Sequence, residues 1–123
     1  MTARQPRVLV IEDDTTLGEI VEEVMTEEGY EVRRTNDGRS GLGLIETWKP
    51  DVVLLDVMMP SMNAFQLRDH QRRMNIGASS RLVVLSASRD LAATATRLQA
   101  DAWLAKPFAL SDLTEAVRRL TSL

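Results

Sequence analysis

The sequence predicts an α/β domain, a doubly wound five-stranded parallel sheet with helices on both faces. Two observations carry this. Five short apolar runs alternate strictly with five longer stretches in which apolar residues return at helical spacing. Three of those runs are continuous rather than alternating, the mark of strands covered on both sides by crossover helices.

Val8-Leu9-Val10-Ile11 is the first strand, β-branched and bounded by charge. Leu17, Ile20, Val21, Val24 and Met25 then recur at the period of a helix. Thr16 followed three residues later by Glu19 reads as its capping box, and Gly29 as its stop. Tyr30 to Thr35 reads as a second strand, with Val32 flanked by charges as on a sheet edge. Asn36-Asp37-Gly38 signals a turn into a helix carrying Gly41, Leu44, Ile45 and Trp48, which Pro50 ends. Val52-Val53-Leu54-Leu55 is the third strand, followed by a less apolar helix over 64–74. Leu82-Val83-Val84-Leu85 is the fourth strand, and Leu91, Ala92, Ala95 and Leu98 mark a short fourth helix. Trp103-Leu104-Ala105 makes a fifth strand, and a last helix starts near Ser111 with Leu113, Ala116, Val117 and Leu120 on one face.

The 123 residues fit a single domain over 1–123, and 44% apolar residues supply a core. No cysteine is present, which excludes a disulfide framework and thiolate metal sites. There is no run of about 18 consecutive apolar residues, the minimum for a spanning helix. The apolar run after Arg7 is too short for a signal sequence. A net charge of −3 with interspersed signs gives no footprint for direct nucleic-acid binding. These features predict a soluble, cytoplasmic protein without membrane insertion.

A doubly wound sheet binds ligands beyond the C-terminal ends of its strands. There the sequence places Glu12-Asp13-Asp14 after the first strand, Asp56 after the third, Ser86 after the fourth and Lys106 after the fifth. Singly, each has a plain structural use: acids cap helices, serine fills turns, and lysine stays solvated. Together they crowd three carboxylates into one cleft. Two like charges about 4 Å apart repel by about 4 kcal/mol at an effective dielectric of about 20. Protonation, Lys106 or a bound cation must relieve this, and an all-oxygen donor set favours a hard ion such as Mg2+.

These stretches resemble the receiver domains of two-component response regulators, including the chemotaxis regulators. The resemblance runs from Arg7 to Leu120 through V-L-V-I-E-D-D, V-V-L-L-D-V-M-M-P, V-V-L-S-A and L-A-K-P-F, in that order. It implies a flavodoxin-like (βα)5 fold of strand order 2-1-3-4-5. It also implies that Asp56 is a phosphoacceptor for a histidine kinase or histidine phosphotransfer protein, acting in a phosphorelay on an unknown downstream protein. The domain would catalyse its own phosphorylation and dephosphorylation without being an enzyme in the ordinary sense. Asp13, Asp56 and the Met58 carbonyl would hold Mg2+, with Glu12 assisting, often through water. Lys106, the Ser86 hydroxyl and the Ala87 N–H would meet the phosphoryl group. The family pattern further implies a cis bond at Lys106–Pro107.

The sequence departs from the family at several points. Trp103 stands where a smaller aromatic usually accompanies Ser86 as a switch, and Asn63-Ala64 replaces an aspartate and glycine. The interval from Ser86 to Lys106 is slightly short, which implies a truncated fourth helix and puts dimerisation through that face in question. Met58 and Ser88 occupy positions that tune dephosphorylation, and neither can act as a base toward water. Arg68, His70, Arg72 and Arg73 read as a solvated basic face. One alternative is a receiver-like interaction module that is not phosphorylated. A nucleotide- or flavin-binding protein is disfavoured, because the loop after the first strand presents carboxylates where glycines would cradle phosphate.

Overall fold

A computed structural model describes residues 4–122. The elements, in chain order, are β1 (Arg7–Ile11), α1 (Thr15–Glu27), β2 (Glu31–Thr35), α2 (Gly38–Thr47), β3 (Val52–Asp56), α3 (Ala64–Met74), β4 (Arg81–Ser86), α4 (Leu91–Leu98), β5 (Ala102–Ala105) and α5 (Leu110–Thr121). All strands are parallel, in the order β2-β1-β3-β4-β5. The five alternating units and the strand order are those expected.

The period of two along each strand splits the core between the faces. Leu9, Ile11, Val53, Leu55, Leu82 and Val84 face α2, α3 and α4, where Ile45, Leu67 and Leu98 meet them. Val8, Val10, Val52, Leu54, Val83 and Leu85 face α1 and α5, against Val21, Met25, Leu113 and Val117. The apolar stretches of the central strands are therefore buried on both sides, while the edge strands β2 and β5 retain exposure along their length. Helix α2 lies close on β1 because Gly41 has no side chain: a Cβ there would stand 2.5 Å from Cδ1 of Ile11. Gly29, at φ +97°, lets the chain leave α1 for β2.

One boundary differs from the sequence expectation. The cap of α1 is Asp14, whose Oδ1 accepts the Leu17 N–H at 3.1 Å, so Thr16 lies inside the helix and forms no capping box with Glu19. The ladder explains the shift: Glu12 N–H still bonds the Thr35 carbonyl at 3.1 Å, so the turn must be completed within two residues. Helix α5 starts at Leu110, next to Ser111 as expected, behind Ala109, whose side chain makes no cap bond. Helix α4 is short, eight residues, as the interval implied. The Lys106–Pro107 bond is cis. No helix among the described residues is long and apolar enough to cross a membrane.

Candidate functional site

Because every strand runs the same way, the residues that end β1, β3, β4 and β5 share one edge of the sheet. Asp56 closes β3, and Glu12 follows the β1 residue paired with Leu55. One carboxylate oxygen from each of Glu12, Asp13 and Asp56 lies within 4.8 Å of the others. Glu12 and Asp56 are buried, 1% and 5% exposed, while Asp13 is open to solvent. Lys106 enters from the end of β5 and places Nζ 2.6 Å from Glu12 Oε1 and 3.4 Å from Asp56 Oδ2. Its backbone N–H donates to the Ser86 carbonyl at 2.8 Å, which ties the ends of β4 and β5 together.

The electrostatics follow from this crowding. Burial is the main cause that raises the Asp56 pKa from 3.8 to about 7; Glu12 adds to it as hydrogen-bond partner and like charge, Asp13 adds a smaller part, and Lys106 opposes. On Lys106, burial works against the charge, yet Glu12 and Asp56 together outweigh it and raise its pKa. The amine thus relieves Glu12 more than Asp56. Asp14 N–H gives Glu12 a further bond at 3.3 Å, and Met58 N–H donates to Asp56 Oδ1 at 3.2 Å. Asp13, open to solvent, is left as the freest oxygen donor. Three carboxylates at this spacing, with no nitrogen or sulfur ligand among them, suit a hard divalent cation.

The remaining residues singled out by sequence stand around this centre. Ser86 is buried at the end of β4, its Oγ accepting the Ser88 N–H at 3.0 Å, and Ala87 is exposed directly after it. The Met58 side chain lies on the surface. Trp103, on edge strand β5, keeps 48% of its surface exposed and is not part of the ion-paired cluster.

Two features were not read from the sequence. A cavity of about 540 Å³ lies beside Lys106, lined by Leu17, Ile20, Phe108 and Leu110 among others. Leu17 and Ile20 belong to the apolar stripe of α1, and that stripe alone does not tell which members stay open; Ile20 does. The other is the contact Arg68 makes from the basic face of α3, a face the sequence reads as solvated. Arg68 is half-buried rather than solvated, donating to the carbonyls of Leu98 at 2.8 Å and Gln99 at 3.0 Å at the end of α4.

Comparison with known proteins decides the family. Residues 8–118 match the model of the response regulator receiver domain. The chain belongs to that family. It is 35% identical to Response regulator MprA of Mycolicibacterium vanbaalenii over 93% of its length and 49% of the relative's. It is 37% identical to Transcriptional regulatory protein PdtaR of Mycobacterium tuberculosis, covering 94% of this chain and 57% of that one. The chain therefore spans about half the length of these curated relatives. Among solved structures, the receiver domain of Francisella response regulator 1452 superposes with a TM-score of 0.84 at 30% identity, covering 94% of this chain and 96% of that one. Vibrio cholerae chemotaxis protein CheY4 gives 0.85 at 26%, covering 95% and 99%. As a receiver domain, the chain is a two-component signalling module rather than a metabolic enzyme.

Proposed function

We propose that this receiver domain accepts a phosphoryl group on Asp56 from the phosphohistidine of a histidine kinase or histidine phosphotransfer protein, with Mg2+ bound, and thereby switches a surface that a downstream protein reads. The observation that carries the reading is the convergence at one sheet edge of Glu12, Asp13 and Asp56, their carboxylate oxygens within 4.8 Å of one another, with Lys106 in ion-pair reach of Glu12 and Asp56. In the transfer, an Asp56 carboxylate oxygen forms the new P–O bond while the P–N bond to imidazole breaks, its electron pair staying on the ring nitrogen. Asp13, Asp56 and the Met58 carbonyl, with help from Glu12, would hold Mg2+, which when bound would supply positive charge to the carboxylates and phosphoryl oxygens.

The chain's own groups do the rest. Lys106, already 3.4 Å from Asp56, turns from Glu12 toward the new dianion. The Ser86 hydroxyl and the Ala87 N–H donate to its oxygens. Because Lys106 N–H is bonded to the Ser86 carbonyl, drawing one inward draws both loops. Neither α4 nor α5 has a side-chain cap, whereas α1, α2 and α3 are capped by Asp14, Asp37 and Asn63, so the loops that move lead into the less tethered helices. Trp103, half exposed on β5, is the aromatic that follows Ser86; an indole in the same place with and without a phosphoryl mimic rejects that role. The apolar cavity beside Lys106 gives a helical phosphodonor a place to rest next to the nucleophile. Met58 and Ser88 offer no base for water, so the phosphoryl group is long-lived. The phosphodonor and this domain meet in the cytoplasm.

Incubation with acetyl phosphate and Mg2+, followed by intact mass measurement, tests the proposal. One phosphoryl group is expected on the unaltered chain and none on Asp56→Asn. No incorporation into the unaltered chain would leave the non-phosphorylated interaction module.

A further inference from the structure

The opposite edge of the sheet holds a second concentration of like charge, positive this time. A cavity of about 560 Å³ opens between the C-terminal end of α3, the 76–80 loop and the starts of β4 and β5. Its walls carry three guanidinium groups, Arg68, Arg72 and Arg81, against one carboxylate, Asp101. That gives a local charge of +3 − 1 = +2 within a chain whose net charge is −3. Asp101 neutralises little of it: Arg81 Nη1 is 3.8 Å from Oδ1, and Oδ2 is engaged by the Leu82 N–H at 2.8 Å. The other partners are neutral. Arg68 bonds the carbonyls of Leu98 and Gln99 and the amide oxygen of Gln71, and Arg72 bonds the side-chain oxygen of Gln99 at 3.1 Å. Burial lowers the Arg68 pKa and the neighbouring Arg72 lowers it further, with Asp101 giving partial relief.

The wall chemistry defines what would fit. Guanidinium groups present fixed forks of donors that match phosphoryl oxygens two at a time. Arg68 uses three of its five N–H groups in the contacts above, and Arg72 uses one. The Ser79 hydroxyl adds a donor on the loop side. No aromatic ring lines the cleft, so nothing there stacks on a nucleobase, and recognition must fall on the oxyanion itself. The volume lies within the range of about 300–1,000 Å³ typical of small-ligand sites.

We propose that this cleft is a binding site for a small phosphorylated anion, separate from the phosphoacceptor pocket, in which Arg72, Arg81 and the free donors of Arg68 share the phosphoryl oxygens. Occupancy supplies the negative charge that Asp101 does not. It also braces the arginines that hold the end of α4.

The test uses the full chain without metal, titrated with pyrophosphate at constant ionic strength and followed by backbone amide NMR. Saturable shifts centred on residues 76–81 and 99–101, with a Kd of about 1 mM or tighter, are expected. The surface double variant Arg72→Gln/Arg81→Gln should weaken binding at least tenfold while leaving phosphorylation of Asp56 by acetyl phosphate unchanged, so failure here is separable from failure of the functional reading. ADP is the second probe. Equal affinity identifies the phosphoryl oxygens as the recognised group, and markedly tighter binding of ADP would overturn that assignment. Shifts confined to the surroundings of Asp56 and Lys106, absence of saturation, or full affinity in the double variant would overturn the site.

Discussion

The two edges of the sheet solve the same electrostatic problem differently. At the C-terminal edge, three carboxylates crowd together and the chain supplies one cation from its own sequence, Lys106, at 2.6 and 3.4 Å. At the N-terminal edge, three arginines gather and the chain supplies one distant carboxylate plus the carbonyls of a helix end. The first edge is buried, so its imbalance appears as a raised Asp56 pKa. The second is mostly open to water, and its imbalance costs less. Burial, more than the count of charges, decides how strongly each cluster depends on a counter-ion.

Removing the internal counter-ion of the buried edge should have the largest effect. Lys106→Met leaves Glu12 and Asp56 without a cation, and breaking a buried pair from one side typically costs about 3 to 5 kcal/mol. For a domain of this size that is a fall in Tm of roughly 10 to 20 °C in metal-free buffer near pH 8. The loss should shrink in acid, where the two carboxyls are protonated. Thermal melts of the two chains across pH measure it, and equal melts at every pH would break the comparison at its stronger end.

Asp56→Asn should act in the opposite direction. The Asp56 carboxyl has a pKa near 7 in the folded chain against an ordinary 3.8, so between these values the folded state holds more protons than the unfolded one. Stability therefore falls as pH rises across that window. Asparagine removes the slope. The variant should be the more stable of the two at about pH 8, on the order of 2 kcal/mol by urea denaturation, with the gap closing below about pH 4. Mg2+ should stabilise the unaltered chain and help the variant less. A variant less stable at every pH would mean that Asp56 contributes more through its bonds than it costs through repulsion.

At the open edge the expected effect is smaller. Arg68→Ala releases the carbonyls of Leu98 and Gln99, a loss of about 1 to 3 kcal/mol for hydrogen bonds from a charged donor. Amide exchange should quicken in α4 before it does in α1, because α4 is eight residues long and has no cap at its other end. Uniform quickening would mean that Arg68 supports the whole fold rather than this helix.

How far the sequence revealed each edge follows from how each is built. The acidic site was legible because a parallel sheet turns adjacency in the chain into convergence in space: Glu12, Asp56, Ser86 and Lys106 each follow an apolar run, so fixing the strands places the site. The arginine cleft is assembled from α3, the loop after it and the starts of two strands, and the bonds that tie Arg68 to the end of α4 run to backbone carbonyls, which no side-chain pattern announces. Arg68 and Arg73 look alike on the page, yet one reaches the end of α4 and the other pairs with Asp69 on its own helix. Asp14 and Thr16 were competing caps that only the length of the β1 ladder could separate.

Asn63 is the smallest test and bears on how the acidic edge is kept in shape. In the sequence it replaces an aspartate of the family pattern, before an alanine that replaces a glycine. The structure gives the asparagine a positive use. Its Oδ1 accepts the Gln66 N–H and its own N–H donates to the Gln66 side chain, both at 2.9 Å, a reciprocal capping box that starts α3. One residue earlier, Met62 is seated so closely on α2 that a Cβ at Gly38 would stand 2.9 Å from its own Cβ. The loop that follows Asp56 is thus fixed at its far end by a cap and a packed side chain, while Met58 at its near end stays exposed. Asn63→Ala should cost about 1 kcal/mol, the usual worth of such a cap, and should raise amide exchange at residues 64–67. Asn63→Asp should keep the Oδ1 bond and most of the stability. If alanine costs nothing, the Met62 contact alone holds the loop, and the capping box is incidental to the site it borders.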